Sequence, residues 1–181
     1  MRYAQIRNMD VSNGVGPGVS LFVQGCDFHC KECFNSETWD FNGGEEWTEE
    51  VENKFLKLIN RPYIKRVSIL GGEPLHSRNV EDVRKLICKI KERFPDKKIW
   101  LYTGYTWEES IMELGEIVED HNMSKFLRSL VIEECDVLVE GRFDKNKKDL
   151  TLKFRGSSNQ RIIDVQKTIN SNKGEIILWE N

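Results

Sequence analysis

Three cysteines stand close together in the sequence, at Cys26, Cys30 and Cys33, with the spacing C-x-x-x-C-x-x-C. Three thiolates on one short loop can converge on a single metal centre. A structural metal site is closed by four protein ligands, whereas a reactive site keeps one position open. The array therefore predicts an open metal centre, such as a [4Fe-4S] cluster that is held by three cysteines and leaves one iron free.

Other uses of these cysteines fit the sequence less well. A zinc site would need His29 and the adjacent Cys30 to reach one small ion, and the spacing is not a usual zinc pattern. A ferredoxin-like electron-transfer cluster would need a fourth cysteine, but Cys88 and Cys135 lie far away in apolar segments, where a cysteine is expected to be a small buried hydrophobe. A disulfide framework is not expected in a chain of this size without a secretion signal.

Composition narrows the class of protein. The chain has 181 residues, 39% of them hydrophobic and 31% charged, which suits a soluble protein with one domain over residues 1–181. The net charge of −3 gives no overall basic field for nucleic acid, and we expect the run Lys145–Lys148 to be a solvated loop. We find no membrane-spanning apolar run and no apolar signal-peptide core, and therefore expect a cytoplasmic protein with reduced thiols.

Apolar strand-like runs alternate with helical stripes along the chain. Strands are predicted at 19–23, 64–70, 99–103 and 136–140, with two short ones at 161–165 and 175–179. Helices are predicted to begin after Thr48, after Asn79, and after Thr106, which forms a capping box with Glu109. The first should end before Pro62 and the second near Pro95. This alternation predicts an α/β fold with a mostly parallel sheet.

Each chemically distinctive segment follows one of the four longer strands. The cysteine array follows the first, Gly71-Gly-Glu-Pro74 the second, Gly104-Tyr105 the third and Gly141-Arg-Phe143 the fourth. Ligands of parallel sheets bind at the carboxyl ends of the strands. At the paired glycines no Cβ stands between backbone carbonyls and a ligand, and the glutamate would attract a cation such as a primary ammonium.

Together, the cysteine array and the Gly-Gly-Glu-Pro turn resemble those of the radical S-adenosylmethionine enzymes. The resemblance implies a compact partial (β/α) barrel in which the three cysteines hold a [4Fe-4S] cluster. It implies that the amino and carboxylate groups of S-adenosylmethionine bind the open iron. Gly71, Gly72 and Glu73 would then receive the amino group of this cofactor.

The residue before the third cysteine departs from the pattern of that family. Many radical enzymes place an aromatic residue there, near the adenine, whereas this chain has Glu32, with Phe34 just after the array. We therefore expect Glu32, Cys33 and Phe34 together to form the adenine side of the cofactor site.

A closer resemblance covers nearly the whole chain. It rests on segments that lie at or near the predicted strand ends: Asp10–Trp39, Gly71–His76, Tyr102–Tyr105, Gly141–Phe143 and Arg155–Gln160. These resemble the activating proteins of anaerobic (class III) ribonucleoside-triphosphate reductases. The resemblance implies that S-adenosylmethionine is cleaved to a 5′-deoxyadenosyl radical, which abstracts hydrogen from a glycine of the partner reductase. It also implies a flavodoxin-like electron donor.

Chain length favours the same kind of substrate. Four βα units use most of the chain, so little remains to enclose a small molecule, and a macromolecule would complete the site. The alternatives are an activase of another glycyl-radical enzyme such as pyruvate formate-lyase, a small radical enzyme acting on a metabolite, and a non-catalytic iron–sulfur electron-transfer module. Arg155–Gln160, which general radical enzymes lack, favours the reductase, and we expect this block to line the open side of the site.

Overall fold

The structure is a computed structural model that describes residues 1–111, 117–171 and 175–180. Its strands are β1 (Arg2–Asp10), β2 (Gly18–Val23), β3 (Glu45–Glu46), β4 (Arg66–Gly71), β5 (Lys98–Tyr102), β6 (Val137–Glu140) and β7 (Arg161–Asp164). Its α-helices are α1 (Glu49–Ile59), α2 (Val80–Arg93), α3 (Trp107–Ser110), α4 (Met123–Glu133) and α5 (Val165–Ile169). No helix in these ranges combines the length and the apolar character needed to cross a membrane.

The seven strands form one sheet with the order β3-β1-β2-β4-β5-β6-β7. The four central strands, β2, β4, β5 and β6, run parallel, as the alternating pattern predicts. At the edges, β1, β3 and β7 pair antiparallel, so the parallel prediction is confirmed for the centre of the sheet alone. Among the described strands, β3 and β7 lie at opposite edges and do not pair, and the partial barrel remains a prediction.

Side chains of the central strands alternate between two faces of the sheet, as the pleat requires. One face packs under the helices and forms the main core with Val19, Leu21, Val67, Ile69, Ile99, Leu101 and Leu138. The intervening residues belong to the opposite face, where a smaller apolar cluster is centred on Trp100, Val137 and Val139. This second face is partly polar, because it also contains Arg66 and Ser68, and it extends into the cavity described below.

Local capping chemistry fixes where the helices begin. The Thr48 hydroxyl accepts a hydrogen bond from the Val51 N–H and caps α1, which confirms the predicted start. Thr106 and Glu109 form the predicted reciprocal capping box at α3. Asn79 precedes α2 as predicted, but its side chain does not cap the helix.

One strand was not predicted and two expectations are wrong, each for an identifiable physical reason. The strand β1 was not predicted because its sequence is polar and its residues are only partly buried near the sheet edge. Residues 175–179 form only an isolated bridge, Ile163 to Leu178, instead of a strand. Cys88 is exposed, because it lies on the outward face of α2, whereas Cys135 is fully buried as expected.

A buried ion pair supports the polar part of the second sheet face. Arg66 donates to the Asp10 carboxylate at 3.2 Å and to the Ser68 hydroxyl at 2.5 Å, and both charged side chains are 1% exposed. Burial acts to raise the pKa of Asp10, but hydrogen bonds from Asn13 and the Ser12 N–H outweigh it and hold that pKa at about 2. The carboxylate is therefore charged at neutral pH, and the pair is a fixed structural element.

We predict that Arg66→Ala lowers the free energy of unfolding by about 3–5 kcal/mol, because it leaves the Asp10 charge buried without its cation. The matched control is Arg7→Ala, since Arg7 also faces Asp10 but at 3.9 Å and with a 44% exposed side chain. That control should change stability by less than about 1 kcal/mol. Urea unfolding of the three proteins measures both effects, and equal losses in the two variants would contradict the structural role of the buried pair.

Candidate functional site

A cavity of about 560 Å³ lies at the carboxyl ends of the four parallel strands. Its wall includes the cysteine loop after β2, Gly71–Glu73 after β4, Thr103 and Gly104 after β5, and Gly141–Phe143 after β6. The sequence prediction that these segments meet at one edge of the sheet is thereby confirmed. The volume is within the range of typical small-molecule sites, about 300–1,000 Å³.

Backbone hydrogen bonds hold the cysteine loop against the segment that follows it. The Gly25 N–H donates to the Thr38 carbonyl at 2.7 Å, and the Cys26 N–H donates to the Trp39 carbonyl at 3.1 Å. The Gln24 side chain donates to the carbonyls of Glu37 and Asp40. These bonds fix both ends of the loop and leave its middle, which carries the thiols, to form part of the cavity wall.

The three thiols of the array all contribute to the cavity wall and are partly buried. Burial, reinforced weakly by the Glu73 charge, raises the pKa of Cys26 to about 11. Burial and the neighbouring Cys33 also raise the pKa of Cys30. Binding of iron must therefore displace thiol protons, as is general for cysteine ligands.

The positions of the thiols and of His29 describe the possible metal ligands of the site. In the described part of the chain, no group of three or more His, Cys, Asp or Glu side chains is close enough to hold one metal ion. The His29 ring packs edge-on against Trp39, with ring centroids 4.7 Å apart. The His29 ring thus has an aromatic neighbour, and three thiolates on one loop can each bind a different iron of a cluster.

Close backbone packing joins the loop after β4 to the loop after β2. The Glu73 N–H donates to the Gly25 carbonyl at 2.8 Å, and a Cβ at Gly72 would lie 2.5 Å from that oxygen. The buried Asn79 amide donates to the carbonyls of Gln24 and Glu73, at 3.0 Å each. Gly72 is thus required first by the protein's own backbone, next to Cys26, and any contact with a ligand comes in addition.

Glu73 is 2% exposed, lines the cavity and lacks an ion-pair partner among the described residues. Its carboxylate accepts hydrogen bonds from the Thr103 hydroxyl at 2.7 Å and the N–H groups of Leu75 and Gly104 at 2.8 and 2.7 Å. Burial raises its pKa to about 7 despite these bonds. A cation in the cavity would stabilise the charged form, so the site suits the ammonium group that the sequence predicts.

The predicted adenine side divides into two parts. Cys33 and Phe34 line the cavity, and Phe34 meets Phe143 edge-to-face at 5.2 Å. The Glu32 side chain is 56% exposed, pairs with Lys145 at 3.3 Å, and is not part of the described cavity wall. An aromatic surface is thus present beside the third cysteine, but it comes from the residue after that cysteine.

The block Arg155–Gln160 forms a turn that packs against the end of β6. The Gln160 side chain donates to the Gly141 carbonyl and accepts from the N–H groups of Gly156 and Ser157, while Asn159 donates to the Arg142 carbonyl. Three residues of the block line the cavity: Arg155, Gly156 and Gln160. Gly156 and Gln160 therefore both maintain the turn and line the cavity.

Two contributors to the site were not singled out from the sequence. The Tyr102 hydroxyl is buried, belongs to a cavity-lining residue, and has no hydrogen-bond partner in the described ranges. Phe28 packs edge-to-face on Tyr105 at 4.8 Å and lies under the Arg142 guanidinium at 4.5 Å. The only sequence signal for Phe28 is its position inside the cysteine array.

Sequence comparison agrees with this geometry. The family described as a 4Fe-4S single cluster domain matches residues 12–163, which places the chain among single-cluster iron–sulfur proteins. The anaerobic ribonucleoside-triphosphate reductase-activating proteins of Vibrio cholerae and Escherichia coli K12 are each 38% identical to it, over 90% and 88% of this chain and 97% and 96% of their own lengths. That of phage T4 is 34% identical over 90% of this chain and 93% of its own length. The chain belongs to the family of anaerobic ribonucleoside-triphosphate reductase-activating proteins.

We predict that Cys26→Ala, Cys30→Ala and Cys33→Ala each abolish cluster binding after anaerobic reconstitution with iron and sulfide, because each removes one of three ligands. Cys88→Ala is the matched control, since its thiol is exposed on α2 and away from the cavity. It should retain the full iron content and the same visible absorbance as the unmodified protein. Full iron content in any one of the three loop variants would contradict the assignment of ligands.

We predict that Gly72→Ala disturbs the cysteine loop as well as the ligand site, because the added Cβ would collide with the Gly25 carbonyl. Overpacking of this kind costs about 1–3 kcal/mol. Iron content after reconstitution and the midpoint of urea unfolding should both fall. The control Ser77→Ala, an exposed change in the same loop, should alter neither the iron content nor the urea midpoint. A Gly72→Ala variant that keeps both the iron content and the urea midpoint would show that the two loops tolerate separation.

Proposed function

We propose that this chain is a glycyl-radical activase that uses a [4Fe-4S] cluster and S-adenosylmethionine to activate an anaerobic ribonucleoside-triphosphate reductase. The observation that carries the proposal is the shared cavity: three cysteine thiols and the Gly71–Glu73 turn line one space of about 560 Å³. A cluster alone would need no such space beside it. A nucleoside cofactor bound at an open iron does need it.

Each part of the wall has a role under this proposal. Cys26, Cys30 and Cys33 would hold three irons of the cluster. Glu73, a buried carboxylate without an ion-pair partner among the described residues, would attract the ammonium group of S-adenosylmethionine, with Gly71 and Gly72 exposing backbone beside it. Cys33 and Phe34 would form the adenine side, with the Phe34–Phe143 pair as an aromatic surface. Glu32 would act indirectly, by pairing with Lys145 and thereby holding the loop.

When bound, the two cofactors supply one-electron cleavage of a carbon–sulfur bond, which yields methionine and a 5′-deoxyadenosyl radical able to take hydrogen from a glycine Cα. The protein's own residues position the bound groups and shield them from water. Phe28, Phe34 and Phe143 present apolar surface around the thiols and limit the access of water. The fixed loops hold the bound groups close together, so that electron transfer does not depend on an encounter in solution.

The target is proposed from the relatives and from the shape of the site. The relatives are named as activating proteins of anaerobic ribonucleoside-triphosphate reductase. The cavity wall includes side chains that remain open to solvent, with Phe34 55% and Leu150 79% exposed. An open wall suits a glycine that is carried on a loop of another protein. A flavodoxin-like protein is the electron donor we propose for the cluster.

The test begins with the reconstituted protein alone, given S-adenosylmethionine and a chemical reductant under anaerobic conditions. We expect methionine and 5′-deoxyadenosine in equal amounts, and a glycyl radical signal in electron paramagnetic resonance once the reductase is added. The Cys30→Ala variant should give neither product nor signal. Cluster reduction without any cleavage of S-adenosylmethionine would instead identify an electron-transfer module, and the proposal would be wrong.

Partner choice needs a second arm of the same experiment. Anaerobic ribonucleoside-triphosphate reductase and pyruvate formate-lyase are offered separately to the same activated protein. A radical on the reductase alone supports the proposal. A radical on pyruvate formate-lyase alone would reassign the chain to another glycyl-radical system.

A further inference from the structure

The segment from Arg142 to Arg155 has a charge opposite to that of the whole chain. It contains six basic side chains and only two acidic ones, Asp144 and Asp149, whereas the complete chain has a net charge of −3. The segment follows β6 and contributes to the cavity wall at both of its ends. A concentrated positive field therefore lies beside the cavity on an otherwise acidic protein.

Part of this charge is satisfied within the protein, and part is not. Arg142 pairs with Glu109 and Lys145 with Glu32, both at 3.3 Å. Lys147, Lys148 and Lys153 are exposed, and none of them has a carboxylate within ion-pair distance in the part of the chain that the structure describes. Asp149 forms no ion pair with them among the described residues, and its carboxylate accepts hydrogen bonds from Thr151. Three free cations thus remain on one segment.

Exposed apolar surface lies next to one of these cations, Lys148. Leu150 is 79% exposed and Phe34 is 55% exposed, and both belong to the cavity wall. The Lys148 ammonium stands 5.1 Å from the centre of the Phe34 ring. We call five exposed residues together the basic rim: Phe34, Lys147, Lys148, Leu150 and Lys153.

We propose that the basic rim is the docking surface for an acidic segment of the reductase polypeptide that lies near its reacting glycine. The inference rests on the proposed function, because a glycine that reaches the cavity must bring its flanking chain past this edge. Charge complementarity defines the partner: free lysines select carboxylates and also steer the encounter. The exposed leucine and phenylalanine favour a polypeptide over a nucleic acid backbone, since they offer apolar contact as well as charge.

The experiment compares two triple variants with equal changes in charge. Lys147→Glu, Lys148→Glu and Lys153→Glu reverse the basic rim, while Lys54→Glu, Lys57→Glu and Lys85→Glu reverse three exposed lysines on α1 and α2. The affinity for the reductase is measured by titration calorimetry at low and high salt. Glycyl radical yield and cleavage of S-adenosylmethionine without the reductase are measured in parallel, with a chemical reductant.

The rim variant should bind the reductase about tenfold more weakly at low salt and form correspondingly less glycyl radical. Its cleavage of S-adenosylmethionine without the reductase should equal that of the unmodified protein, because the reversed lysines hold neither cofactor. High salt should reduce the difference between the two proteins, since the Debye length falls from about 10 Å at 0.1 M to about 3 Å at 1 M. A decaglutamate peptide should inhibit radical formation with the unmodified protein more than decalysine does.

Several results would overturn the docking surface. If the two triple variants lost affinity for the reductase equally, the effect would come from net charge alone. Loss of cofactor cleavage in the rim variant would place these lysines in the cofactor site. Unchanged binding to the reductase, with lost binding to a single-stranded oligonucleotide, would make the rim a nucleic-acid surface. An unmodified protein that cleaves S-adenosylmethionine but neither binds nor activates the reductase would overturn the proposed function itself, and with it the docking surface.

Discussion

The contact on which the site depends is the approach of two backbones, at Gly25 and Gly72. The Gly25 carbonyl accepts the Glu73 N–H at 2.8 Å and leaves no room for a Cβ at Gly72. The Asn79 amide then ties the loop after β2 to the loop after β4. Because of these bonds, the cysteines and the buried glutamate belong to one rigid edge of the sheet. Without them, two separate loops would each have to be ordered by a ligand, at an entropic cost.

Two buried carboxylates, Asp10 and Glu73, have different surroundings in the same fold, one in a structural ion pair and the other in the candidate site. Asp10 has Arg66 as an ion-pair partner, accepts several hydrogen bonds, and keeps a pKa of about 2. Glu73 is equally buried and faces the cavity, but it has no ion-pair partner among the described residues, and burial raises its pKa to about 7. A buried charge without a partner is unfavourable for folding alone, so it is more readily explained by a ligand.

Sequence reasoning succeeded where chemistry is local. Helix caps and apolar strands depend on neighbouring residues, which is why the Thr48 cap and the four parallel strands could be predicted. It failed where the cause lies elsewhere in the fold. The polar strand β1 is defined by its partner β2, and the Asn79 side chain leaves its helix to bind carbonyls of two loops. Such long-range hydrogen bonds leave no periodic signal in a sequence.

The two faces of the sheet explain how a short chain can be both stable and open. The helices cover one face completely, and its core residues are almost entirely buried. The other face buries a smaller apolar cluster around Trp100, and its cavity remains open at the rim near Leu150. Under the proposed function, a radical formed in this open space is useful only when a partner protein covers the space. Stability therefore comes from the helix side of the sheet, and closure of the site is left to the protein that carries the glycine.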